Sequence, residues 1–377
     1  MIPVYRPYLS ENSFQYSDEA CYSTWISSQG KFLSLASDKL KEMLGVKHVL
    51  LTSNGTCAVH LSAIHLYLAY PEITQLIVPN NVFVSAINGY LYDKKFQLVT
   101  CDADLETWNY DLSKLDDLIK SYGKNQIACL IVHNVGNVIN VPALQVKYPN
   151  VVFVEDNCEG LFGKYGDQFT GTTSLNSAIS FYGNKNVTCG EGGAFLTNDD
   201  ALIETLYRIH NCGQSKTRFI HSELGYNYRM TNVAAGILLK QLEEAPTILE
   251  KKKTVFARYR ESISQMSDVH AQKLSDDCQN PNWMFGVRFD DEDHTFEKAN
   301  EYFKEHGIEI RPMFYPLSSH KFLHNNPNIF LGEETISKKL SDNVIVLPSF
   351  PQLSSEEQDH ILKVLNMYRV KIRRFES

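Results

Sequence analysis

The most restrictive feature of this sequence is a series of short apolar runs that alternate with helical stretches. Runs at 48–51, 75–78, 96–100, 127–132, 151–154 and 178–182 are four to six residues long, and most of them end on polar residues. Helix-like spacing occupies 35–44, 58–68, 112–119, 141–146, 201–209 and 233–242 between and after them. Strands of continuous rather than alternating apolarity are buried on both faces. Their alternation with helices of this length predicts an α/β three-layer sandwich with a mostly parallel central sheet.

In such sheets ligands bind beyond the carboxyl ends of the strands. The chemistry of the chain therefore concentrates in residues 151–193. The strand 151–154 ends on Glu155 and Asp156, and the strand 178–182 stops at Gly183, Asn184 and Lys185 before the turn Gly190-Glu191-Gly192-Gly193. A lysine at a strand end forms a Schiff base with an aldehyde when its surroundings make it nucleophilic. A carboxylate beside it holds a proton on a pyridine nitrogen. That pair is what pyridoxal phosphate (PLP) requires. Taken singly, Lys185 reads as a solvated loop lysine and Asp156 as a helix cap.

Upstream, Thr52-Ser53-Asn54-Gly55-Thr56 joins a strand to the helix expected over 58–68. Gly55 and Thr56 there read as a phosphate cradle, because the first N–H groups of a helix lack internal partners. An N-cap by Ser53 or Thr56 is the competing reading. Phe83, in a polar loop at a helix entrance, either stacks on a flat ring or joins the core. Gly45 reads as the stop of the helix at 35–44. Asn198-Asp199-Asp200 is expected to cap the helix at 201–209, and the long polar stretch 210–232 is expected to be functional.

With 377 residues the chain exceeds a usual single core. Pro246 is read as the boundary between a large domain, 1–245, and a small α+β domain, 246–377, entered by a charged helix at about 249–266. Strands at 282–289, 308–311 and 344–347 and helices at 296–306 and 355–368 are expected there, the last capped by Ser354 or Ser355. The net charge of −8 argues against a nucleic-acid surface. Lys251 to Lys253 read as a solvated helix face. The eight cysteines contain no C-x-x-C pair, so free thiols are expected and no metal site is indicated. No signal-peptide core and no apolar run long enough to span a bilayer is present, so a cytoplasmic protein is expected.

Six segments together resemble the DegT/StrS-type nucleotide-sugar aminotransferases, which are fold type I PLP enzymes. They are TWISSQGKF, TSNGTCAVHL, VEDNCEG, SFYGNKNVTCGEGGAFLTND, LGYNYRMTNVAAGILLKQL and HGIEIRPMFYPL. SFYGNK and GYNYRMTN look most like the perosamine-synthase branch. Cys158 stands where the family commonly has alanine.

The resemblance implies a PLP-dependent aminotransferase. It would move the amino group of glutamate to a keto-sugar nucleotide, a 4-keto-6-deoxyhexose on GDP, UDP or dTDP, for surface-glycan synthesis. Lys185 would be the Schiff-base lysine and proton shuttle, and Asp156 the partner of the pyridine nitrogen. Phe83 would stack on the ring, and Gly55, Thr56 and Ser180 would bind the phosphate. Asn227 would reach that phosphate from the neighbouring subunit, which implies a homodimer with shared sites. Glu159 occupies a position where relatives often carry Gln or His against the cofactor hydroxyl. Arg311 would bind substrate or form an inter-domain salt bridge, and His320 would help select the sugar. Two alternatives remain: a PLP-dependent sugar dehydratase, in which histidine replaces the lysine, and a non-catalytic PLP-binding regulator. An intact Lys185 and no basic helix-turn-helix favour transamination.

Overall fold

The structure is a computed structural model that describes residues 1–123, 126–291 and 293–373. Seven strands of one sheet come from residues 48–197: β1 (His48–Thr52), β2 (Gln75–Pro79), β3 (Gln97–Cys101), β4 (Ile127–Val132), β5 (Val151–Asp156), β6 (Asn176–Ser180) and β7 (Gly193–Thr197). Their spatial order is β1-β7-β6-β5-β4-β2-β3. β2 to β6 pair in parallel, and β7 runs antiparallel to both β1 and β6. All six residues of β4 are buried. Ala128, Leu130 and Val132 face a core shared with the helix Gly55–Ala69, while Ile127, Cys129 and Ile131 face a second core on the other side. This two-faced burial is the physical origin of the continuous apolar runs. The helix Lys31–Leu44 ends at Gly45, whose φ of 71° is the left-handed cap that glycine adopts freely.

A smaller antiparallel sheet follows, ordered Val269–Ala271, Phe285–Phe289, Val344–Leu347, Arg311–Pro312. The helices Phe296–Glu305 and Ser355–Arg373 pack on it around Phe285, Phe289, Phe303 and Tyr368. The last helix opens with a capping box: Ser354 Oγ accepts from Glu357 N–H and Glu357 Oε2 accepts from Ser354 N–H.

Several expectations are corrected here. Pro246 does not separate two helices, because one helix runs from Asn232 to Ile263 with the proline inside it. Its buried face, Leu242, Ala245, Ile248, Val255 and Phe256, is continuous across the proline, and packing outweighs one missing N–H. Lys251 and Lys253 are exposed but Lys252 is fully buried, so the three lysines are not one solvated face. Its amine donates to the carbonyls of Trp283, at 2.6 Å, and Ser349, and lies against the rings of Tyr5 and Phe256. Burial holds that amine well below the ordinary lysine range. The segment after Arg311 returns to the large sheet, where Ile329–Phe330 pairs in parallel with β3. Residue 308 makes only an isolated bridge, to Ile2. The helix after β7 starts at Ile203 with no side-chain cap; Asp199 instead binds Ala201 N–H at 2.7 Å and the buried His65 at 2.8 Å.

Among the described residues no helix is long and apolar enough to cross a membrane. Nor does any group of three or more His, Cys, Asp or Glu side chains among them gather as metal ligands.

Candidate active site

A cavity of about 760 Å³ opens at the carboxyl ends of the parallel strands. Val132, Asp156 and Ser180, the last residues of β4, β5 and β6, line its floor, and Trp283, Arg311 and Phe314 close it from the second sheet's side. The parallel register sets Asp156 beside Ala178, so the end of β5 faces the strand that leads to Lys185.

Asp156 is buried, and its Oδ1 accepts from Cys158 N–H at 3.0 Å. This local bond fixes the carboxylate's orientation at the strand end. Lys185 sits in a turn closed by its own N–H to Tyr182 O at 2.9 Å. The turn is held from outside by three bonds: Tyr5 Oη donates to Lys185 O at 2.9 Å, Trp283 Nε1 to Asn184 O at 2.9 Å, and Asn186 Nδ2 to Pro281 O at 2.8 Å. The amine itself lies 3.8 Å from the centroid of the Trp283 ring.

Glu159 is buried in the same wall, and its Oε2 accepts from Val135 N–H at 2.7 Å. Burial pushes its carboxyl up to about 7; the nearby Lys185 charge and the Val135 bond oppose the rise, and Asp156 adds to it. Val135 adopts φ of 58°, a left-handed conformation that is strained for a β-branched residue. The strain aims its N–H at the carboxylate.

The helix Gly55–Ala69 begins at the cavity, capped by Asn54, whose Oδ1 accepts from Cys57 N–H at 3.0 Å. The cap is thus Asn54, not Ser53 or Thr56: its extended backbone places the side chain over the third helical N–H. A Cβ on Gly55 would fall 2.8 Å from Ser180 Cβ, so only glycine lets the helix start this close to β6. Gly55, Thr56 and Ser180 thereby share one corner of the cavity. Phe83 is 56 % exposed and lines the cavity mouth, 6.1 Å from the Phe314 ring, instead of joining the core.

Arg311 lines the cavity, and its ion pair is a loose 3.9 Å contact with Glu309, two residues away, not a bridge between the two sheets' units. Two expected residues are not brought in. Asn227 lies exposed outside the cavity of its own chain, with Oδ1 accepting from Arg229 Nη2 at 2.9 Å. His320 also lies outside the lining of this cavity. Leu317 is buried and its N–H donates to Asn80 Oδ1 at 3.1 Å, which ties the segment before His320 to the first unit. Sequence reasoning missed Tyr5 and Trp283. Neither belongs to a local motif; only the fold brings them to the lysine turn.

A family model described as the DegT/DnrJ/EryC1/StrS aminotransferase family matches residues 7–366. A GDP-perosamine synthase from Escherichia coli O157:H7 is 32% identical over 370 residues, covering 97% of this chain and 98% of that protein. Among solved structures, a Helicobacter pylori aminotransferase involved in pseudoaminic acid biosynthesis superposes with a TM-score of 0.89 at 22% identity, covering 97% and 99% of the two chains. An E. coli GDP-4-keto-6-deoxy-D-mannose-3-dehydratase with bound hydrated PLP gives 0.89 at 17% identity, with the same coverage. These two structures share the fold, an α/β arrangement around a large, mostly parallel sheet. The chain belongs to the DegT/DnrJ/EryC1/StrS aminotransferase family.

Proposed function

We propose that this protein is a PLP-dependent aminotransferase that moves the amino group of glutamate to a 4-keto-6-deoxyhexose carried on GDP, yielding a 4-amino-4,6-dideoxy sugar nucleotide for surface glycan. The observation that carries the reading is the convergence of Lys185, Asp156 and the glycine-cut start of the helix Gly55–Ala69 on one cavity. The similarity to GDP-perosamine synthase supports GDP over UDP or dTDP. The residues present fit the cofactor: an amine for an aldehyde, a buried acid for a ring nitrogen, and a helix start cleared of any Cβ for a phosphate.

Bound PLP supplies an aldehyde to the Lys185 amine and a ring that takes up the electron pair released from a donor C–H bond. Lys185 would carry the proton between the donor α-carbon and the cofactor's aldehyde-derived carbon. Asp156, oriented by Cys158 N–H, would keep the ring nitrogen protonated. Gly55, Thr56 and Ser180 would hold the phosphate, and Phe83 would cover a ring face. Glu159 would stand against the ring hydroxyl, and Arg311 would bind the sugar nucleotide. In this reading the unit around the large sheet holds the cofactor and the unit around the smaller sheet closes over the substrate.

The working unit is a cytoplasmic homodimer in which Asn227 reaches the partner's phosphate site. The exposed apolar side chains Phe219 and Leu224, in the same stretch as Asn227, support a protein-covered surface there.

Two measurements test the reading. Borohydride reduction of the holoenzyme is expected to leave a stable adduct on Lys185, and its absence there defeats the assignment. Incubation with glutamate and GDP-, UDP- and dTDP-linked keto-sugars is expected to give a product that has gained nitrogen. A product that has lost a hydroxyl without gaining nitrogen would mark a dehydratase instead.

A further inference from the structure

We propose that Trp283 is a catalytic partner of Lys185, its indole face holding the ammonium that Lys185 becomes when it takes up a substrate proton. The inference rests on the aminotransferase reading. In that reaction the donor C–H bond breaks, its electron pair stays with the substrate and its attached ring system, and the proton forms a new N–H bond on Lys185. The lysine is then a cation until it returns the proton.

The Lys185 amine lies 3.8 Å from the Trp283 ring centroid, well within cation–π range. Trp283 is 5 % exposed and Lys185 is half-buried, so the ring side of the contact is withdrawn from water, and desolvation strengthens such contacts. Trp283 is held at its indole N–H and at its backbone carbonyl. Its N–H donates to the carbonyl of Asn184, the residue before Lys185, and its own carbonyl accepts from the buried Lys252 at 2.6 Å. Ring and lysine turn are therefore tied together.

The other charged side chains that line the cavity are Asp156, Glu159, Glu191 and Arg311. Asp156 and Glu159 have partners of their own in Cys158 N–H and Val135 N–H. A carboxylate against the amine would hold it by a directional bond and compete for its proton. An aromatic face does neither: it favours the cation yet leaves the amine free to swing back to the carbon.

The test compares Trp283→Phe with Trp283→Leu. Both lose the bond to Asn184, but only phenylalanine keeps an aromatic face. Cofactor stoichiometry and the borohydride adduct on Lys185 first establish that each variant is loaded. In the glutamate half-reaction, followed by rapid absorbance of the bound cofactor, Trp283→Leu is expected to slow proton transfer about tenfold and Trp283→Phe about threefold. Glutamate Kd should stay within about twofold, the effect expected of a group acting only on the charged lysine. The slowed step should show an isotope effect with α-deuterated glutamate. In the apoprotein, Lys185→Met is expected to change tryptophan emission, and to leave it unchanged in a Trp283→Phe background. Equal slowing in the two variants, a change confined to Kd, a slowed step without an isotope effect, or emission indifferent to Lys185 overturns the proposal while leaving the aminotransferase assignment intact. A wild-type protein that forms no Lys185 adduct overturns both.

Discussion

Replacing Glu159 by glutamine converts its buried carboxyl into a group that does not titrate. The amide oxygen can still accept the Val135 N–H that the carboxylate accepts at 2.7 Å, so the substitution removes ionisation with little change in shape. Burial raises the carboxyl from its ordinary 4.5 to about 7 in the folded protein. Between those values the folded form holds more protons than the unfolded form, so stability falls as pH rises through the window. The cost is absent below 4.5 and complete above 7. A rise of this size corresponds to about 3 kcal/mol. Glu159→Gln is therefore expected to flatten the decline, with an advantage over wild type that grows from near zero at pH 4.5 to about 3 kcal/mol at pH 8. Urea unfolding of the two apoproteins at four pH values, read by circular dichroism, measures the difference. Because the Lys185 charge opposes the rise, the same comparison in a Lys185→Ala background should give a larger advantage. A difference that does not vary with pH, or that shrinks as pH rises, refutes the reasoning.

Lys185→Ala is expected to abolish turnover while leaving the melting temperature within a few degrees; retained turnover would remove the central assignment. Asn227→Asp is expected to weaken cofactor retention by setting a negative charge beside a phosphate. Mixed dimers of Lys185→Ala and Asn227→Asp chains should regain activity, because one of the two sites then holds both native residues. No recovery would show that Asn227 does not act across the dimer. Gly55→Ala places a Cβ 2.8 Å from Ser180 Cβ and should loosen cofactor binding by about tenfold, measured by equilibrium dialysis. Unchanged affinity would show that the close approach is not the phosphate corner.

What could be read from the chain was what local physics dictates. Strands buried on both faces must be continuously apolar, so β4 and β5 announce themselves, and their polar ends mark where a parallel sheet opens. Asp156 and Lys185 were legible for that reason: each sits at or just past a strand end, within about 30 residues of the other. Gly45 and a serine cap at 354 or 355 were legible because caps are local; the structure places that cap on Ser354. Pairing over long separations was not. Ile329–Phe330 is too short to signal a strand, and it exists because the segment after Leu317 is carried back to β3. Tyr5 and Trp283 reach Lys185 from about 180 and 100 residues away, with no spacing rule to connect them.

Lys252 shows how a local rule can mislead even where it applies. Three consecutive lysines look like one charged surface, but a helix turns about 100° per residue, so three neighbours cannot share a face. The middle one follows Ile248 and precedes Val255, Phe256 and Tyr259 on the buried side. A buried lysine is tolerable only if its polar atoms are met. Here the carbonyls of Trp283 and Ser349 accept its hydrogens, and the rings of Tyr5 and Phe256 surround it. The depressed proton affinity of that amine follows from its burial. The same side chain thus ties the long helix to Trp283 and to the strand end near Ser349. It also packs against Tyr5, which holds the Lys185 carbonyl. The geometry of the Lys185 turn therefore depends on a residue 67 positions further along the chain, hidden in what looks like solvated charge.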